Sequence, residues 1–389
     1  MSSLVAVAAI SLAAWIYLVL ARGSFWRDGP YLTAAEPSAW PDVVAIVPAR
    51  NEAETIGRAV ASLAAQSYKG ALSIVVVDDQ STDGTAAQAR SSGLTRPPHV
   101  LSGTPLPAGW TGKMWAVAQG VDEARRIAPG AGYLWLTDAD IEHGPDVLSA
   151  LVAKAEGEHL GLVSQMVLLR CEGGWERVLI PAFVFFFKKL YPFAWSNAPG
   201  RRTAAAAGGS MLVRTDALEA AGGIAAIRGE IIDDCALAAA IKPHRPIWLG
   251  LTRESRSLRR YERLADVWDM VARTAFVQLR HSWVLLAGTV VGMAILYAAP
   301  PAGAVAGLIG GSAALLAFGA AAWAVMAVAY APTLRLYRRP YAEAVLLPVA
   351  ALLYTLMTIA SAWRSLSGSG ARWKDRSYSK GMERASSHE

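Results

Sequence analysis

Residues 43–68, VVAIVPARNEAETIGRAVASLAAQSY, carry the pattern that decides the fold. The run Val43–Val47 is apolar throughout and rich in β-branched residues, which is typical of a strand buried on both faces, and Pro48 is expected to end it. Glu52 and Glu54 then open a segment whose apolar residues follow one another at helical spacing. This stretch therefore predicts a strand, a loop and a helix in succession.

The same succession recurs further along the chain. Leu72–Val77 predicts a second strand, which stops at Asp78 and Asp79, and Tyr133–Leu136 predicts a third, which runs into TDAD at residues 137–140. Strands that alternate with helices predict an α/β domain with a parallel sheet, whose ligands lie beyond the carboxyl ends of the strands. Both acidic clusters are therefore expected at one edge of the sheet.

An acidic residue after a strand is often only a cap for a turn or a helix. Two such clusters at one edge are harder to explain in this way, because carboxylates held close together repel each other unless they are protonated or bridged by a cation. Oxygen ligands indicate Mg²⁺ or Mn²⁺ rather than zinc. The sequence has neither a Gly-x-Gly-x-x-Gly after these strands nor a GxxxxGK[ST], which argues against dinucleotide oxidoreductases and P-loop NTPases.

Long apolar runs at both ends of the chain indicate a membrane protein. Leu4–Ala21 predicts an uncleaved anchor helix rather than a signal peptide, because no basic residue precedes it. Residues 282–334 contain no Asp, Glu, Lys or Arg, and Pro300-Pro301 is expected to divide them into two spans. A further run covers residues 344–363. The predicted organisation is an anchor (residues 1–22), a globular domain (40–280) with an interfacial segment (175–200), transmembrane or re-entrant helices (282–363) and a basic tail (364–389).

Basic residues beside the apolar runs predict the orientation. They follow the first run and the third run, which places the globular domain on the cytoplasmic side of an inner (plasma) membrane. The residues are Arg22, Arg27, Arg335, Arg338 and Arg339. Four complete crossings would leave the basic tail outside, so one run is expected to be re-entrant, interfacial or split by Pro348.

The composition excludes several classes of protein. Of the 389 residues, 54% are hydrophobic and 17% charged, which excludes a disordered chain. The formal net charge of +6 suits anionic lipid or a phosphorylated small molecule better than nucleic acid. Cys171 and Cys235 form no framework and are predicted to be reduced and buried.

Five motifs in order resemble those of inverting, processive-type family 2 glycosyltransferases, which have a Rossmann-like GT-A domain. They are VPARNE (47–52), VVDDQSTDGT (76–85), GWTGK (109–113), TDAD (137–140) and EIIDDCALA (230–238). One anchor precedes the domain and several apolar runs follow it, an arrangement that is similar to the ceramide glucosyltransferase-like branch. The residues of the motifs resemble those of the hopene-associated glycosyltransferases.

The resemblance implies roles for the residues of these motifs. The loop after the first strand and the acidic pair after the second would hold the uridine, and Lys113 would assist at the phosphates. Asp138 and Asp140, an Asp-x-Asp pair, would bind a Mg²⁺ or Mn²⁺ ion that offsets the charge on the departing diphosphate. The implied uridine-binding residues are Ala49, Arg50, Glu52 and Asp78 or Asp79.

The position of Asp234 in its motif implies that it is the base that takes the proton from the acceptor hydroxyl. The family usually has Glu-Asp where this chain has Asp-Asp, so Asp233 is a competitor, and a simple helix N-terminus also fits the two acids. With one carboxylate as base and none needed as nucleophile, the anomeric centre should invert. The family's Arg-Trp motif before the last spans is absent, and Arg280 and Trp283 are the nearest replacements for binding the substrate.

The acceptor that we expect follows from the position predicted for the segment Trp175–Arg202 relative to the membrane. We expect Pro181, Pro192 and Lys188-Lys189 to prevent it from spanning a bilayer, and its many aromatic residues indicate a helix on the membrane surface, although a buried core helix also fits. A surface helix would bring a lipid hydroxyl to the site without removing the lipid from the bilayer.

The predicted function is therefore transfer of a sugar from a UDP-sugar to a lipid hydroxyl, as in hopanoid or related glycolipid biosynthesis. Transfer to a polyprenyl phosphate is one alternative. A non-catalytic membrane subunit that retains the fold is another.

Overall fold

The computed structural model describes residues 2–33, 35–90, 94, 96–367, 372–373 and 376–377. These residues form two compact units, which we call the sheet unit and the helical unit. The sheet unit contains the described residues of Gly29–Arg170 and Trp195–Arg260, together with the described strand residues from Arg372 onward. The helical unit contains the described residues of Met1–Asp28, Cys171–Ala194 and Tyr261–Ala371. Lys374, Lys380 and Arg384 of the predicted basic tail lie outside the described residues.

The strands are β1 Val43–Ala49, β2 Leu72–Asp78, β3 His99–Ser102, β4 Tyr133–Leu136, β5 Ile141–His143, β6 Leu162–Leu168, β7 Met211–Arg214, β8 Ile247–Ser257, β9 Arg372–Trp373 and β10 Arg376–Ser377. The α-helices are α1 Ser2–Ala21, α2 Ile56–Ala64, α3 Thr85–Ala89, α4 Gly112–Ile127, α5 Val147–Gly157, α6 Gly174–Leu190, α7 Phe193–Ser196, α8 Thr215–Ala220, α9 Asp233–Ile241, α10 Leu264–Ala272, α11 Ala275–Gln278, α12 Trp283–Met293, α13 Ala299–Ile309, α14 Ala313–Leu336 and α15 Leu347–Leu366. Short 3₁₀ segments cover Ile224–Ile227 and Tyr341–Leu346, and a π-helical segment, Ala294–Ala298, joins α12 to α13.

The main sheet is mixed rather than wholly parallel. Its strand order is β3-β2-β1-β4-β7-β6-β8-β5, and the four strands from β3 to β4 are parallel, as predicted. Strand β7 runs antiparallel to both β4 and β6, and β5 runs antiparallel to β8. Strands β6 and β8 are parallel, so the expectation of a parallel sheet was wrong only for the pairs that involve β7 and β5. Antiparallel neighbours need no crossover helix and so lack the strand–helix alternation that we used to predict the first half.

Strand β1 does not end at Pro48, contrary to the prediction. Pro48 pairs in register with Val77 of β2, and Ala49 pairs with Asp78. The pairing of β1 with β4 on its other side stops at Ile46. A proline, which has no N–H to donate, is tolerated at such a one-sided position. The extra residues carry the end of β1 to the acidic end of β2.

Helices cover both faces of the sheet. The side chains of Val43, Ala45 and Val47 pack in one apolar cluster with residues of α2 and α5, whereas Val44 and Ile46 pack in a second cluster with residues of α4 and α9. Each fully buried aliphatic side chain of this kind contributes about 1.5–3 kcal/mol. Burial on both faces explains why β1 reads as an unbroken apolar run.

The helical unit contains apolar helices of membrane-spanning length. In the part of the chain that the structure describes, five segments are long and apolar enough to cross a bilayer: Ser2–Ala21, Gly174–Ser196, Trp283–Ile309, Ala313–Leu336 and Tyr341–Leu366. The expected anchor helix and C-terminal helices are thus present as continuous helices.

The break between the first and second C-terminal segments, Trp283–Ile309 and Ala313–Leu336, was predicted at the wrong place. The chain remains helical through Pro300-Pro301, which lie in the first turn of α13, where the missing N–H of proline costs little. The turn falls instead before Ser312, where Gly311 adopts a φ of +68° and the Ser312 hydroxyl accepts a hydrogen bond from the N–H of Leu315 at 3.4 Å.

Helix α6 occupies the segment that we expected to be too interrupted to span a bilayer. It continues through Pro181, and its two lysines are tied to other groups of the helical unit. The ammonium of Lys188 donates to the carbonyl of Arg27 at 2.6 Å, and that of Lys189 donates to the hydroxyl of Tyr297 at 2.7 Å. Length and composition alone therefore do not exclude this segment as a span.

Both cysteines are free, as predicted, but they differ in burial. Cys235 is buried, whereas Cys171 is half-buried because it lies in the connection between β6 and α6 rather than in an element. Burial raises the pKa of the Cys171 thiol to about 12, so this side chain remains protonated.

Candidate active site

The loops that follow β1 and β2 are joined by hydrogen bonds between their polar side chains. The amide oxygen of Asn51 accepts from the N–H of Thr82 at 2.9 Å, and the hydroxyl of Ser81 accepts from the N–H of Asn51 at 3.0 Å. The Thr85 hydroxyl accepts from the N–H of Glu52 at 2.8 Å. Asn51 can take part because it adopts a φ of +50°, which asparagine tolerates better than most residues. These bonds hold the two predicted nucleotide-binding loops together at the sheet edge.

The acidic pair after β2 divides into a buried member and a more open one. Asp79 is fully buried, and its carboxylate lies 3.6 Å from the guanidinium of Arg50. Its backbone N–H donates to the carbonyl of Ala49 at 2.8 Å. In the described residues, one carboxylate oxygen of Asp78 and the Nε of Arg50 are buried without a hydrogen-bond partner. Leaving a buried polar atom unpaired costs about 1–3 kcal/mol, so these two atoms are positioned to bind a polar ligand.

The second acidic pair, after β4, is held by two different cations. An oxygen of Asp138 lies 3.0 Å from the ammonium of Lys113. An oxygen of Asp140 accepts from the Ser257 hydroxyl and from the Nε of Arg259, both at 3.0 Å. The same guanidinium lies 2.6 Å from the carboxylate of Glu52. Glu52 is thus linked through Arg259 to the Asp-x-Asp pair.

Lys113 joins the Asp-x-Asp pair to the acidic start of α9. It lies in the first turn of α4, whose N-cap Thr111 accepts from the N–H of Met114 at 3.4 Å. Its ammonium lies 3.1 Å from Asp233, in addition to its contact with Asp138. Burial favours the neutral amine, but the carboxylates of Asp138, Asp233 and Asp234 outweigh it and hold the pKa of Lys113 above its ordinary value. Lys113 therefore remains protonated and places a positive charge between two acidic segments.

Asp234 lies at the start of α9, so the helix N-terminus that we considered as an alternative is present. One of its oxygens accepts from the N–H of Gly208 at 3.0 Å, and the other accepts from the N–H of Cys235 at 2.7 Å. Burial, with a further contribution from Asp233, raises the pKa of Asp234 to about 6, against the opposing effects of Lys113 and these two N–H groups. A carboxylate with a pKa close to the working pH is suited to general base catalysis.

The pKa of Asp138 is also raised. Burial is the main cause, and the nearby carboxylates of Asp140 and Asp233 add to it, whereas Lys113 opposes it. Asp138, Lys113, Gly208 and Asp233 line one small cavity of about 10 Å³. The structure thus brings the third, fourth and fifth sequence motifs together around Lys113.

A buried hydrogen-bond chain supports the Asp-x-Asp segment from behind. The Thr137 hydroxyl donates to the carbonyl of Gly209 at 2.8 Å, so it must accept from Nε2 of His143 at 2.9 Å. Nδ1 of the same ring then accepts from the Ser255 hydroxyl at 2.9 Å. Burial lowers the pKa of His143 to about 3, which keeps the ring neutral. This chain fixes the backbone directly before Asp138.

Sequence reasoning missed Ser257 and Arg259. Neither residue belongs to a motif identified in the sequence. The structure places Arg259 on Asp140 because β8 pairs antiparallel with β5, with Ser257 opposite Ile141. The only signal in the sequence was the position of Arg259 directly after a long strand, and that signal does not identify the partner.

The two residues proposed to replace the Arg-Trp motif belong to the helical unit. Arg280 adopts a φ of +50° in the turn before α12. Trp283 is the first residue of α12, is 49% exposed and packs against Phe276 with a ring-centroid distance of 5.2 Å. Their role in binding a substrate remains a prediction.

The acidic residues at the sheet edge offer the oxygen ligands that Mg²⁺ and Mn²⁺ prefer. In the part of the chain that the structure describes, no group of three His, Cys, Asp or Glu side chains is placed to hold a metal ion. Mg²⁺ is commonly held by one or two carboxylates together with phosphate oxygens of a substrate, rather than by a cage of protein ligands. The mutually repelling carboxylates of the half-buried Asp138 and the buried Asp140 fit this kind of site.

The fold is found in proteins of known function. Residues 44–222 match the family model described as Glycosyl transferase family 2. No curated protein matches the chain. The mannosyltransferase PcManGT from Pyrobaculum calidifontis, solved in complex with GDP-Man and Mn²⁺, is 20% identical and superposes with a TM-score of 0.52 over 96% of this chain and 100% of its own.

Two further solved structures are similar over shorter stretches. Mannosyl-3-phosphoglycerate synthase from Rubrobacter xylanophilus is 20% identical, with a TM-score of 0.37 over 59% of this chain and 70% of its own. TarS 1-349 from S. aureus, in complex with UDP, is 15% identical, with a TM-score of 0.39 over 61% of this chain and 65% of its own. Residues 44–222 therefore form a domain that matches glycosyl transferase family 2, and the chain shares the fold of the mannosyltransferase PcManGT.

Proposed function

We propose that this protein is a membrane-bound, inverting glycosyltransferase that moves a sugar from a nucleoside diphosphate sugar, such as a UDP-sugar, to the hydroxyl of a lipid. The observation that carries the proposal is Asp234. It is a half-buried carboxylate with a pKa raised to about 6, and it lies beside a lysine that also contacts the Asp-x-Asp pair.

The donor nucleotide is proposed to bind at the ends of β1 and β2. The unpaired oxygen of Asp78 and the Nε of Arg50 would bind polar groups of the nucleoside. Ala49 and Glu52 flank them, and Asp79 holds Arg50 in place. PcManGT was solved with GDP-Man and another solved structure of TarS with UDP-GlcNAc, so nucleoside diphosphate sugars are donors that proteins of this fold bind.

The diphosphate is proposed to bind between Lys113 and the Asp-x-Asp pair. Asp138 and Asp140 would hold a divalent cation, Mg²⁺ or Mn²⁺, which would offset the negative charge on the leaving group. Lys113 and Arg259 already lie 3.0 Å from these two carboxylates. Both cations can turn toward phosphate oxygens when the donor binds, so that the chain supplies positive charge on two sides of the diphosphate.

Asp234 is proposed to take the proton from the acceptor hydroxyl as its oxygen attacks the anomeric carbon. The N–H groups of Gly208 and Cys235 fix the carboxylate, and Asp233 pairs with Lys113 instead. This division of labour favours Asp234 over Asp233 as the base. Attack by the acceptor on the face opposite the diphosphate inverts the anomeric centre.

The membrane location is proposed from the helical unit and from the connections of α6. Strand β6 precedes α6, strand β7 follows it, and these two strands pair with Leu162 opposite Val213. A complete crossing by Gly174–Ser196 would put the paired strands on opposite sides of a hydrocarbon core about 30 Å thick. We therefore propose that this segment lies at the membrane surface and delivers a lipid, with the sheet unit on the cytoplasmic face of the inner membrane.

The lipid is proposed to be a hopanoid or a similar polycyclic or sphingoid alcohol, as in the ceramide glucosyltransferase-like branch. The test is mass spectrometry of lipid extracts from cells that lack the gene and from cells that regain it as wild type, Asp234→Asn or Asp122→Asn. Asp122 is a matched control because its side chain is 76% exposed on α4.

We expect a lipid heavier by one hexose-type residue in the wild type and the control only. A glycosylated polyprenyl phosphate in its place would replace the proposed acceptor. An identical lipid profile in the wild type and in the cells that lack the gene would contradict transfer to lipid.

A further inference from the structure

A cavity of about 260 Å³ lies within the helical unit, among groups that the proposed transfer reaction does not use. The first turn of α6, the last turns of α14 and the segment that leads into α15 bound it. The residues that matter here are Arg177, Tyr330, Leu334, Arg339, Glu343 and Leu347. Its lining therefore combines two guanidinium groups and one carboxylate with an apolar wall.

The charges in this cavity leave a positive excess. Nε of Arg339 donates to Glu343 at 3.0 Å, and a second bond from the same guanidinium makes the pair bidentate. No described residue provides a hydrogen-bond or ion-pair partner for the guanidinium of Arg177. The cavity thus contains one neutralised arginine of fixed orientation and one arginine whose charge is not compensated.

The acid beside Arg177 does not compensate it. Glu176 is 1% exposed and points into the protein, where its carboxylate accepts from the N–H groups of Glu172, Gly173 and Tyr261 at 2.7–2.8 Å. Its charge is therefore used to cap α6 and to hold the start of the Tyr261 segment. Glu176 is turned away, and the exposed side chain of Arg177 remains accessible to an external anion.

The position of the cavity indicates what kind of anion this is. Helix α14 is uncharged from Ala313 to Leu334, and the cavity lies at the end of that apolar stretch, just before Arg335. Trp175 and Tyr341, next to it in sequence, are 41% and 61% exposed, as is typical of aromatic residues at headgroup depth. An apolar wall of Tyr330, Leu334 and Leu347 beside a free guanidinium fits a molecule with an anionic head and a hydrocarbon chain.

We propose that this cavity binds the headgroup of an anionic phospholipid, with the phosphate on Arg177 and Arg339 and the first methylenes of the lipid along the apolar wall. This lipid is a bound component of the membrane unit rather than the sugar acceptor. The proposal rests on the membrane location proposed above and not on the transfer reaction.

The experiment uses the full-length protein in nanodiscs that contain phosphatidylcholine with or without phosphatidylglycerol. Bound lipid is counted by native mass spectrometry after release of the protein. We compare the wild type with Arg177→Gln and with the matched control Arg338→Gln, which removes an exposed arginine outside the cavity. We expect Arg177→Gln to lower the retained phosphatidylglycerol about fivefold, as for loss of one basic contact with an anionic lipid, and Arg338→Gln to change it less than twofold.

A third variant tests the charge of the cavity in the opposite direction. Glu343→Gln removes the only carboxylate named among its lining residues, so the retained phosphatidylglycerol should rise or stay the same while retained phosphatidylcholine does not change. Millimolar inorganic phosphate is then added as a competitor, which distinguishes a lipid site from a phosphate site. We expect the retained phosphatidylglycerol not to change. Equal losses in Arg177→Gln and Arg338→Gln, or full competition by inorganic phosphate, would overturn the proposal.

These outcomes are independent of catalysis. Asp234→Asn should lose sugar transfer and keep its phosphatidylglycerol. Loss of lipid binding by Asp234→Asn would show that the two measurements report a common defect in folding, and it would contradict a separate site.

Discussion

The two acidic pairs at the sheet edge look alike in sequence, and the structure gives them different environments. Asp78-Asp79 and Asp138-x-Asp140 each follow a strand of the parallel half of the sheet. Asp79 is fully buried against Arg50, whereas Asp138 keeps 35% of its side chain exposed and lies in a network of cations that reaches Asp233. The comparison shows that acids in similar sequence positions can have different partners, and that the cations around each pair distinguish a buried ion pair from a candidate site.

Of the two pairs, the second should show the larger loss of sugar transfer on substitution. Asp140→Asn removes a proposed metal ligand and leaves Arg259 facing a neutral amide, so we expect sugar transfer to fall about 10²- to 10³-fold. Transfer of radiolabelled sugar in membranes, measured over a range of Mn²⁺ concentrations, checks this. EDTA should stop the wild-type reaction. Unchanged transfer in EDTA would show that Asp138 and Asp140 do not act through a divalent cation.

Substitution in the first pair should act on folding instead. Asp79→Asn leaves Arg50 without its buried partner, and the expected loss is about 3 kcal/mol in the free energy of unfolding. Denaturant unfolding in detergent, followed through the tryptophan signal, measures it. A variant of wild-type stability that has lost nucleotide affinity would reverse the interpretation and place Asp79 in the donor site.

The pH profile tests whether Lys113, which contacts the second pair, also acts on Asp234. Because the pKa of Asp234 is raised to about 6, its carboxylate is ionised above pH 6 and protonated below it. The rate should therefore fall about tenfold per pH unit below pH 6. Lys113→Met should move this limb to higher pH, since Lys113 lowers the pKa of Asp234. A limb in the same place in both proteins would exclude Lys113 from the environment of the base.

The smallest effect is expected behind the second pair. His143→Gln disturbs the chain from Ser255 to Thr137 and should lower the apparent Mn²⁺ affinity about fivefold, which corresponds to about 1 kcal/mol for one hydrogen bond. His244→Gln is the control, since His244 is exposed. A kinetic titration with Mn²⁺ measures the difference, and equal affinities would remove His143 from the support of the site.

Local sequence patterns were sufficient for the parallel half of the fold. Tyr133–Leu136 was predicted with its observed bounds, and the other two predicted strands are longer in the structure, by one residue for Leu72–Val77 and by two for Val43–Val47. The extension of β1 through Pro48 depends on β4 stopping short beside it, which is a tertiary fact that the local pattern does not contain. The turn at Gly311 was missed for a related reason, because Pro300-Pro301 gave the stronger local signal and are tolerated in the first turn of α13.

The candidate site was predictable where its residues lie in motifs. Lys113, Asp138, Asp233 and Asp234 were named from the sequence, and the structure brings them together. Arg259 was not, because its contact with Asp140 joins residues 119 positions apart through the antiparallel pairing of β5 and β8. Pairing between distant strands leaves no periodic trace in a single sequence, so the partner of each acid had to come from the structure.

We propose that sugar is transferred at the cluster around Lys113, with Asp234 as the base. The most direct test compares initial rates of transfer from radiolabelled donor for Asp234→Asn and Asp122→Asn, at matched membrane expression and saturating Mn²⁺. We predict a loss of about 10²- to 10⁴-fold for Asp234→Asn, as expected for removal of a general base, and less than twofold for Asp122→Asn. A wild-type rate in Asp234→Asn would contradict the claim.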